Sequence, residues 1–218
     1  MSSAQPEGYL AMPAAGQGSP VLVLHAWWGL NETIRVFCRR LAAAGFIAFA
    51  PDLYHGKVTD QIAEAEALVT ALDANFQQAR AEVAEAVTFL KERAGQTGSV
   101  AVIGFSLGAF YALDLSASDP ETIRSVVLFY GTGPADFGHA QAEYIGHFAA
   151  NDPFEPQSNV DELQSALKKA GRTVTFYVYP GTGHWFCEPD RTDAYDASAA
   201  ELAWERTLAF LKRRFSQA

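Results

Sequence analysis

The pentapeptide Gly104-Phe105-Ser106-Leu107-Gly108, directly after the apolar run Ser99-Val100-Ala101-Val102-Ile103, constrains this chain more than any other feature. The run reads as a buried strand, and the proline-free stretch from Leu107 to Leu115 reads as a helix. A serine between the two sits on a sharp, strained turn with backbone packed close on both sides, so its neighbours must be small. Gly104 and Gly108 supply that space, and Ala109 continues it. The turn lifts the serine hydroxyl clear of the sheet and aims the backbone N–H of Leu107 at a developing oxyanion.

The rest of the chain has the alternation such a turn needs. Strand-like runs fall at Pro20 to Leu24, Phe46 to Ala50, Val100 to Phe105, Val126 to Tyr130, Tyr144 to Ala149 and Val174 to Tyr179. Most are continuous apolar runs, as expected of a sheet buried on both faces. Asn31 to Ala44 reads as a helix, with an asparagine cap, Glu32 in its first turn, Ile34, Phe37, Cys38 and Leu41 on one face, and a stop at Gly45. Val160, Leu163, Leu167 and Ala170 form another stripe, ended by Gly171. The stretch from Thr59 to Arg93 predicts two helices parted around Asp73-Ala74-Asn75, and a last helix runs from about Ala194 to Phe215. No linker or repeat interrupts the pattern. We therefore expect one α/β domain over residues 1–218, with a single mostly parallel sheet covered by helices on both sides.

Composition excludes several function classes. A net charge of −9 disfavours nucleic acid and gives no pull toward anionic membranes. The amino-terminal stretch from Met1 has no basic segment followed by an apolar core, so no secretory leader is expected. Two cysteines, Cys38 and Cys187, give neither a disulfide framework nor metal spacing, and the expected compartment is the cytoplasm. No nucleotide or zinc motif is present, so neither metal nor cofactor is expected.

A serine nucleophile needs a base, and the base needs an orienting carboxylate. In α/β-hydrolases these follow in the order serine, acid, histidine, on loops at the carboxyl ends of late strands. Of the five histidines, His184 fits that order, in the loop Pro180-Gly181-Thr182-Gly183-His184 after the last predicted strand. His25 and His55 lie upstream of the serine. His139 is in a glycine-rich connection, and His147 lies inside a strand as a packed core histidine. The acid should leave the preceding strand, which makes Asp152 the candidate and Glu155 its nearest rival. The second oxyanion donor should come from His25-Ala26-Trp27-Trp28-Gly29-Leu30-Asn31, with the N–H of Trp27 facing that of Leu107. Trp27 and Trp28 read either as the lining of an apolar substrate pocket or as a pair of core aromatics.

These stretches together resemble the dienelactone hydrolase family, a compact branch of the α/β-hydrolases. The resemblance is carried by residues 25–31, Ala50-Pro51-Asp52-Leu53-Tyr54, the serine pentapeptide, Asn151-Asp152, Gly183-His184-Trp185-Phe186 and the tail from Ala199 to Leu211. It implies a hydrolase of small esters or lactones, with Ser106, Asp152 and His184 as triad and Trp27 and Leu107 as oxyanion hole. Trp27, Trp28, Trp185 and Glu188 are then the expected substrate contacts. A monomer or small homo-oligomer is expected. Other readings are a thioesterase or acyl-transfer enzyme with the same triad, or a non-catalytic ligand-binding protein on this fold.

Three positions depart from the family pattern. Ser106 stands where cysteine is usual, and Ala26 where a glutamate commonly helps to activate that thiol. The two changes agree, because a serine relies on its histidine base. Glu188 stands where family members carry an arginine for a substrate carboxylate, so we expect it to repel anionic substrates. Glu188 should also raise the pKa of Cys187 and keep that thiol inert.

Overall fold

The computed structural model describes residues 4–95 and 98–216, so Met1–Ser3 of the stretch read for a leader lie outside it. The strands are β1 (Gly8–Ala11), β2 (Ser19–Leu24), β3 (Phe46–Pro51), β4 (Val100–Phe105), β5 (Ile123–Phe129), β6 (Glu143–Ala149) and β7 (Val174–Tyr179). They form one sheet in the order β1-β3-β2-β4-β5-β6-β7. β1 runs antiparallel to β3, and every other pair is parallel.

The helices are α1 (Glu32–Ala43), α2 (Ile62–Ala74), α3 (Phe76–Arg93), α4 (Leu107–Ser118), α5 (Gln157–Lys169) and α6 (Ala197–Ser216). Because strand side chains alternate, the two faces of the sheet build two cores. Leu22, Leu24, Phe49, Val102 and Leu128 pack with residues of α3, α4 and α5. Val21, Val23, Ala48, Ile103 and Phe129 pack with residues of α1 and α6. Helices therefore cover both faces, as the apolar runs require.

Local chemistry sets the boundaries. Asn31 caps α1 by accepting from the Ile34 N–H at 3.2 Å. Asn75 parts α2 from α3, as expected. α6 starts at Ala197 rather than Ala194, because the Asp196 carboxylate accepts from the Ala199 N–H at 2.9 Å and the Ser198 hydroxyl at 2.7 Å. The short antiparallel β1 was not expected: Gly8-Tyr9-Leu10-Ala11 has little hydrophobic pattern of its own and is held by pairing with Ala48–Pro51. β7 also departs from the doubly buried reading. It is an edge strand, opposite β1, and Val178 is exposed. Among the described residues, no helix is long and apolar enough to cross a membrane.

Strand order reverses between β2 and β4, since β2 pairs β3 on one side and β4 on the other. The crevice at the carboxyl ends of these strands is where open α/β sheets hold their ligands. Ser106 lies there, directly after β4.

Candidate active site

Ser106 has φ 49° and ψ −111°, a conformation that L side chains rarely adopt. The fold imposes it: the Ser106 N–H donates to Phe129 O at 2.8 Å, and its carbonyl accepts from the Ala109 N–H at 2.8 Å. The flanking glycines allow close approach. A Cβ on Gly104 would lie 2.3 Å from Gly108 O, and one on Gly108 would lie 2.3 Å from Leu24 O. Any larger residue at either position would push α4 off the sheet.

The loops after β6 and β7 bring two further side chains to this turn. His184 Nε2 lies 2.9 Å from Ser106 Oγ, and His184 Nδ1 lies 2.7 Å from Asp152 Oδ2. With Nδ1 protonated, the imidazole donates to Asp152 and leaves Nε2 to accept from the serine hydroxyl. Asp152 is fixed in turn: its Oδ1 accepts from the N–H groups of Phe154 and Glu155, both at 2.9 Å. The His184 and Asp152 side chains are only 5% and 2% exposed, which keeps competing water from this hydrogen-bonded row. Glu155 does not reach it. Its carboxylate holds the Thr132 N–H at 2.7 Å and hydroxyl at 3.0 Å.

The other histidines have separate duties. His147 is a core histidine, bound to the Tyr179 hydroxyl at 2.8 Å and the Thr207 hydroxyl at 3.0 Å, and burial pushes its pKa down to about 3. His25 is also fully buried, and desolvation lowers its pKa. As the neutral Nδ1–H tautomer it donates to Ala26 O at 2.8 Å and accepts from the Leu53 N–H at 3.3 Å, tying the Trp27 loop to the segment after β3. His55 pairs with Glu7 at the surface, and His139 is exposed.

Leu107 opens α4, so its N–H has no partner within the helix. Neither this N–H nor that of Trp27 donates to a protein acceptor among the described residues. Gly108 packs on the Leu24 and His25 carbonyls, which sets the two segments side by side. The loop's two tryptophans part company. Trp27 is half-buried and meets Phe154 edge-on, with centroids 5.7 Å apart. Trp28 is a correction to the pocket-lining expectation. At 1% exposure it is a core ring, covered by Trp185 at 5.1 Å and by the Arg191 guanidinium at 4.1 Å. Trp185 is largely buried too, and packs on His184 at 4.9 Å.

Glu188 corrects the sequence reading more sharply. It does not stand as a charge at the mouth of the site: it is 1% exposed and accepts from the Tyr130 hydroxyl at 2.8 Å. Burial pushes its pKa up to about 8, with Asp190 adding to the rise and Tyr130 and Arg191 opposing it. Buried under Tyr130 in this way, the carboxyl does not face an incoming anion. The Cys187 thiol is raised well above its usual range by burial first and Glu188 second. Sequence reasoning missed Tyr130 and Phe154, which flank the His184 ring at 5.0 and 5.3 Å. Both follow carboxyl ends of strands, and that position was the available signal. Among the described residues, no group of three or more His, Cys, Asp or Glu side chains could hold a metal ion.

Comparison with known proteins agrees with this architecture. The sequence model of the dienelactone hydrolase family matches residues 7–215. "Protein usf" of Aquifex pyrophilus is 35% identical, over 94% of this chain and 92% of its own. A protein of Aquifex aeolicus named "Putative carboxymethylenebutenolidase" is 33% identical with the same coverage. Among solved structures, a "Putative Dienelactone Hydrolase" from Klebsiella pneumoniae is 28% identical with a TM-score of 0.81, covering 93% of this chain and 91% of that one.

Proposed function

The chain belongs to the dienelactone hydrolase family, and on that footing we propose that it hydrolyses small carboxylic esters or lactones through Ser106, His184 and Asp152. The observation that carries this reading is the continuous hydrogen-bonded row from Ser106 Oγ through the His184 imidazole to Asp152, 2.9 and 2.7 Å long at its two links. His184 Nε2 takes the serine proton as Oγ attacks the substrate carbonyl carbon. The carbonyl π electrons move onto oxygen, and the N–H groups of Trp27 and Leu107 stabilise that oxyanion. As the tetrahedral intermediate collapses, the imidazolium returns its proton to the leaving alkoxide and an acyl-serine ester remains. Water, deprotonated by the same imidazole, then hydrolyses the acyl-enzyme and restores the serine. Asp152 holds the imidazole in the Nδ1–H tautomer throughout and stabilises its charged form.

The residue at position 26 favours a serine enzyme over the thiol chemistry usual in the family. Ala26, in place of the glutamate, is 2% exposed and offers no carboxylate to an attacking thiol. The test is Ser106→Ala, with circular dichroism to verify the fold. Turnover of nitrophenyl esters and simple lactones should fall on the order of a millionfold. Activity above a few per cent, with contaminating esterase excluded, would remove Ser106 from the mechanism.

A further inference from the structure

Two hydrogen bonds hold His184 in the plane of its ring, one at each nitrogen. They leave a rotation about the line joining their ends, which tips the ring without lengthening either bond at first. Only groups against the ring can resist that tilt. Three aromatic side chains do so: Tyr130, Trp185 and Phe154, with centroids 5.0, 4.9 and 5.3 Å away. Phe154 is 44% exposed and can yield to solvent, whereas Tyr130 is fully buried.

Tyr130 is also the ring whose placement is most strictly specified. It stands just past β5 at φ 36°, a left-handed conformation uncommon for a bulky residue and expensive unless the surroundings enforce it. Its N–H donates to His147 O at 2.8 Å, which fixes the main chain. Its hydroxyl donates to Glu188 Oε1 at 2.8 Å, which fixes the far end of the ring. No step of the proposed hydrolysis uses Glu188. Burying a carboxyl costs desolvation, and a more ordinary apolar residue would fill the same space.

We propose that Glu188 is a positioning residue, whose carboxyl anchors the Tyr130 hydroxyl so that the Tyr130 ring sets the tilt of the His184 imidazole between Ser106 and Asp152. The inference rests on the reading of those three residues as the reacting row. Glu188 is faced by Tyr130 from the end of β5 and by Cys187, Asp190 and Arg191 from its own loop. Near neutral pH the bond joins two uncharged groups, so glutamine is the close mimic of the native side chain. Leucine has similar bulk and no acceptor.

The test compares Tyr130→Phe, Glu188→Leu and Glu188→Gln at pH 7 by kcat, KM and the proton resonance of His184 Nδ1–H, with melting temperature recorded alongside. Tyr130→Phe and Glu188→Leu should each lose roughly ten- to a hundredfold in kcat, the scale of a small misplacement of reacting groups. KM should stay within about twofold, since substrate contacts are untouched. The Nδ1–H resonance should move in both variants, and Glu188→Gln should recover most of kcat and the native resonance. A Tyr130→Phe enzyme with native kcat and an unmoved resonance overturns the proposal, even if it melts earlier. Should Glu188→Leu fail to fold, Tyr130→Phe decides alone. An active Ser106→Ala enzyme would instead overturn the reading of the row itself.

Discussion

The loops after β6 and β7 each deliver a buried carboxyl to the surroundings of one imidazole, and they do so in opposite ways. Asp152, on the first, receives three donors: two backbone N–H groups and His184 Nδ1. That arrangement fits an acceptor-only carboxylate, and its Asx turn presents the charge to the ring. Glu188, on the second, receives one donor, the Tyr130 hydroxyl, and burial raises its pKa to about 8. The number of donors thus separates the two carboxyls. One carboxyl can stabilise an imidazolium through a direct bond, and the other can only brace what packs against it.

The largest effect expected from this contrast is on turnover. Asp152→Asn should lower kcat about ten-thousandfold, because an amide that donates toward Nδ1 favours the wrong tautomer. Glu188→Gln replaces a neutral group by a neutral group and should cost far less in the same assay. If the two variants were equally crippled, Glu188 would be acting on the reacting atoms by its charge and the contrast would fail.

The two loops also differed in how far they could be read from the sequence. Asp152 follows a clear apolar strand and opens an Asp-Pro turn, and His184 follows the last strand in the expected chain order, so both were candidates by position, and the folded chain brings them within 2.7 Å. The serine turn was legible from its context: Gly104 and Gly108 alone also fit an ordinary loop, but a strand-like run precedes them and a helical run follows. Glu188 was misread because burial is a tertiary property. Nothing local in Phe186-Cys187-Glu188 reveals that Tyr130, 58 residues earlier, will cover the carboxyl. Trp28 misled in the same way, its partners Trp185 and Arg191 arriving from the far end of the chain. β1 escaped notice because four residues paired at an edge carry too little pattern to stand out.

The contrast can be sharpened by stability. Unfolded, Glu188 releases its proton near its ordinary value of 4.5; folded, it keeps the proton up to about 8. Between those values the folded state binds more protons, so its contribution is whole below the lower value and is lost as pH rises through the upper one. His147 runs the other way: its pKa is pushed from 6.5 down to about 3, so stability rises with pH between those limits and is level above them. From pH 6.5 to 8 the Glu188 loss therefore stands clear of it. Urea midpoints of the native protein should fall across that window, and those of Glu188→Gln should fall less. The exposed His55, whose pKa is raised by Glu7, contributes equally to both proteins and cancels in the difference. Parallel midpoints would mean that Glu188 ionises freely in the folded state.

The smallest effect concerns where the two loops touch. Phe154 on the first packs on Trp185 of the second at 4.8 Å, yet Phe154 is 44% exposed and Trp185 only 6%. A ring left half in water beside the Ser106–His184–Asp152 row, edge-on to Trp27, costs little to remove and, on the proposed function, is placed to meet substrate. Phe154→Ala should thus lower stability by about 1 kcal/mol or less, well short of the roughly 3–5 kcal/mol for deleting a buried aromatic ring. Its effect should fall on KM, a few-fold rise for aryl esters and less for acetyl esters with the same leaving group, because one face of a stacked ring is all that is lost. kcat should hardly change, since Tyr130 and Trp185 still flank His184. A fall in kcat with KM unchanged would show that Phe154 braces the histidine as Tyr130 does. The first loop would then carry both the charge that the imidazole needs and part of the packing that holds it.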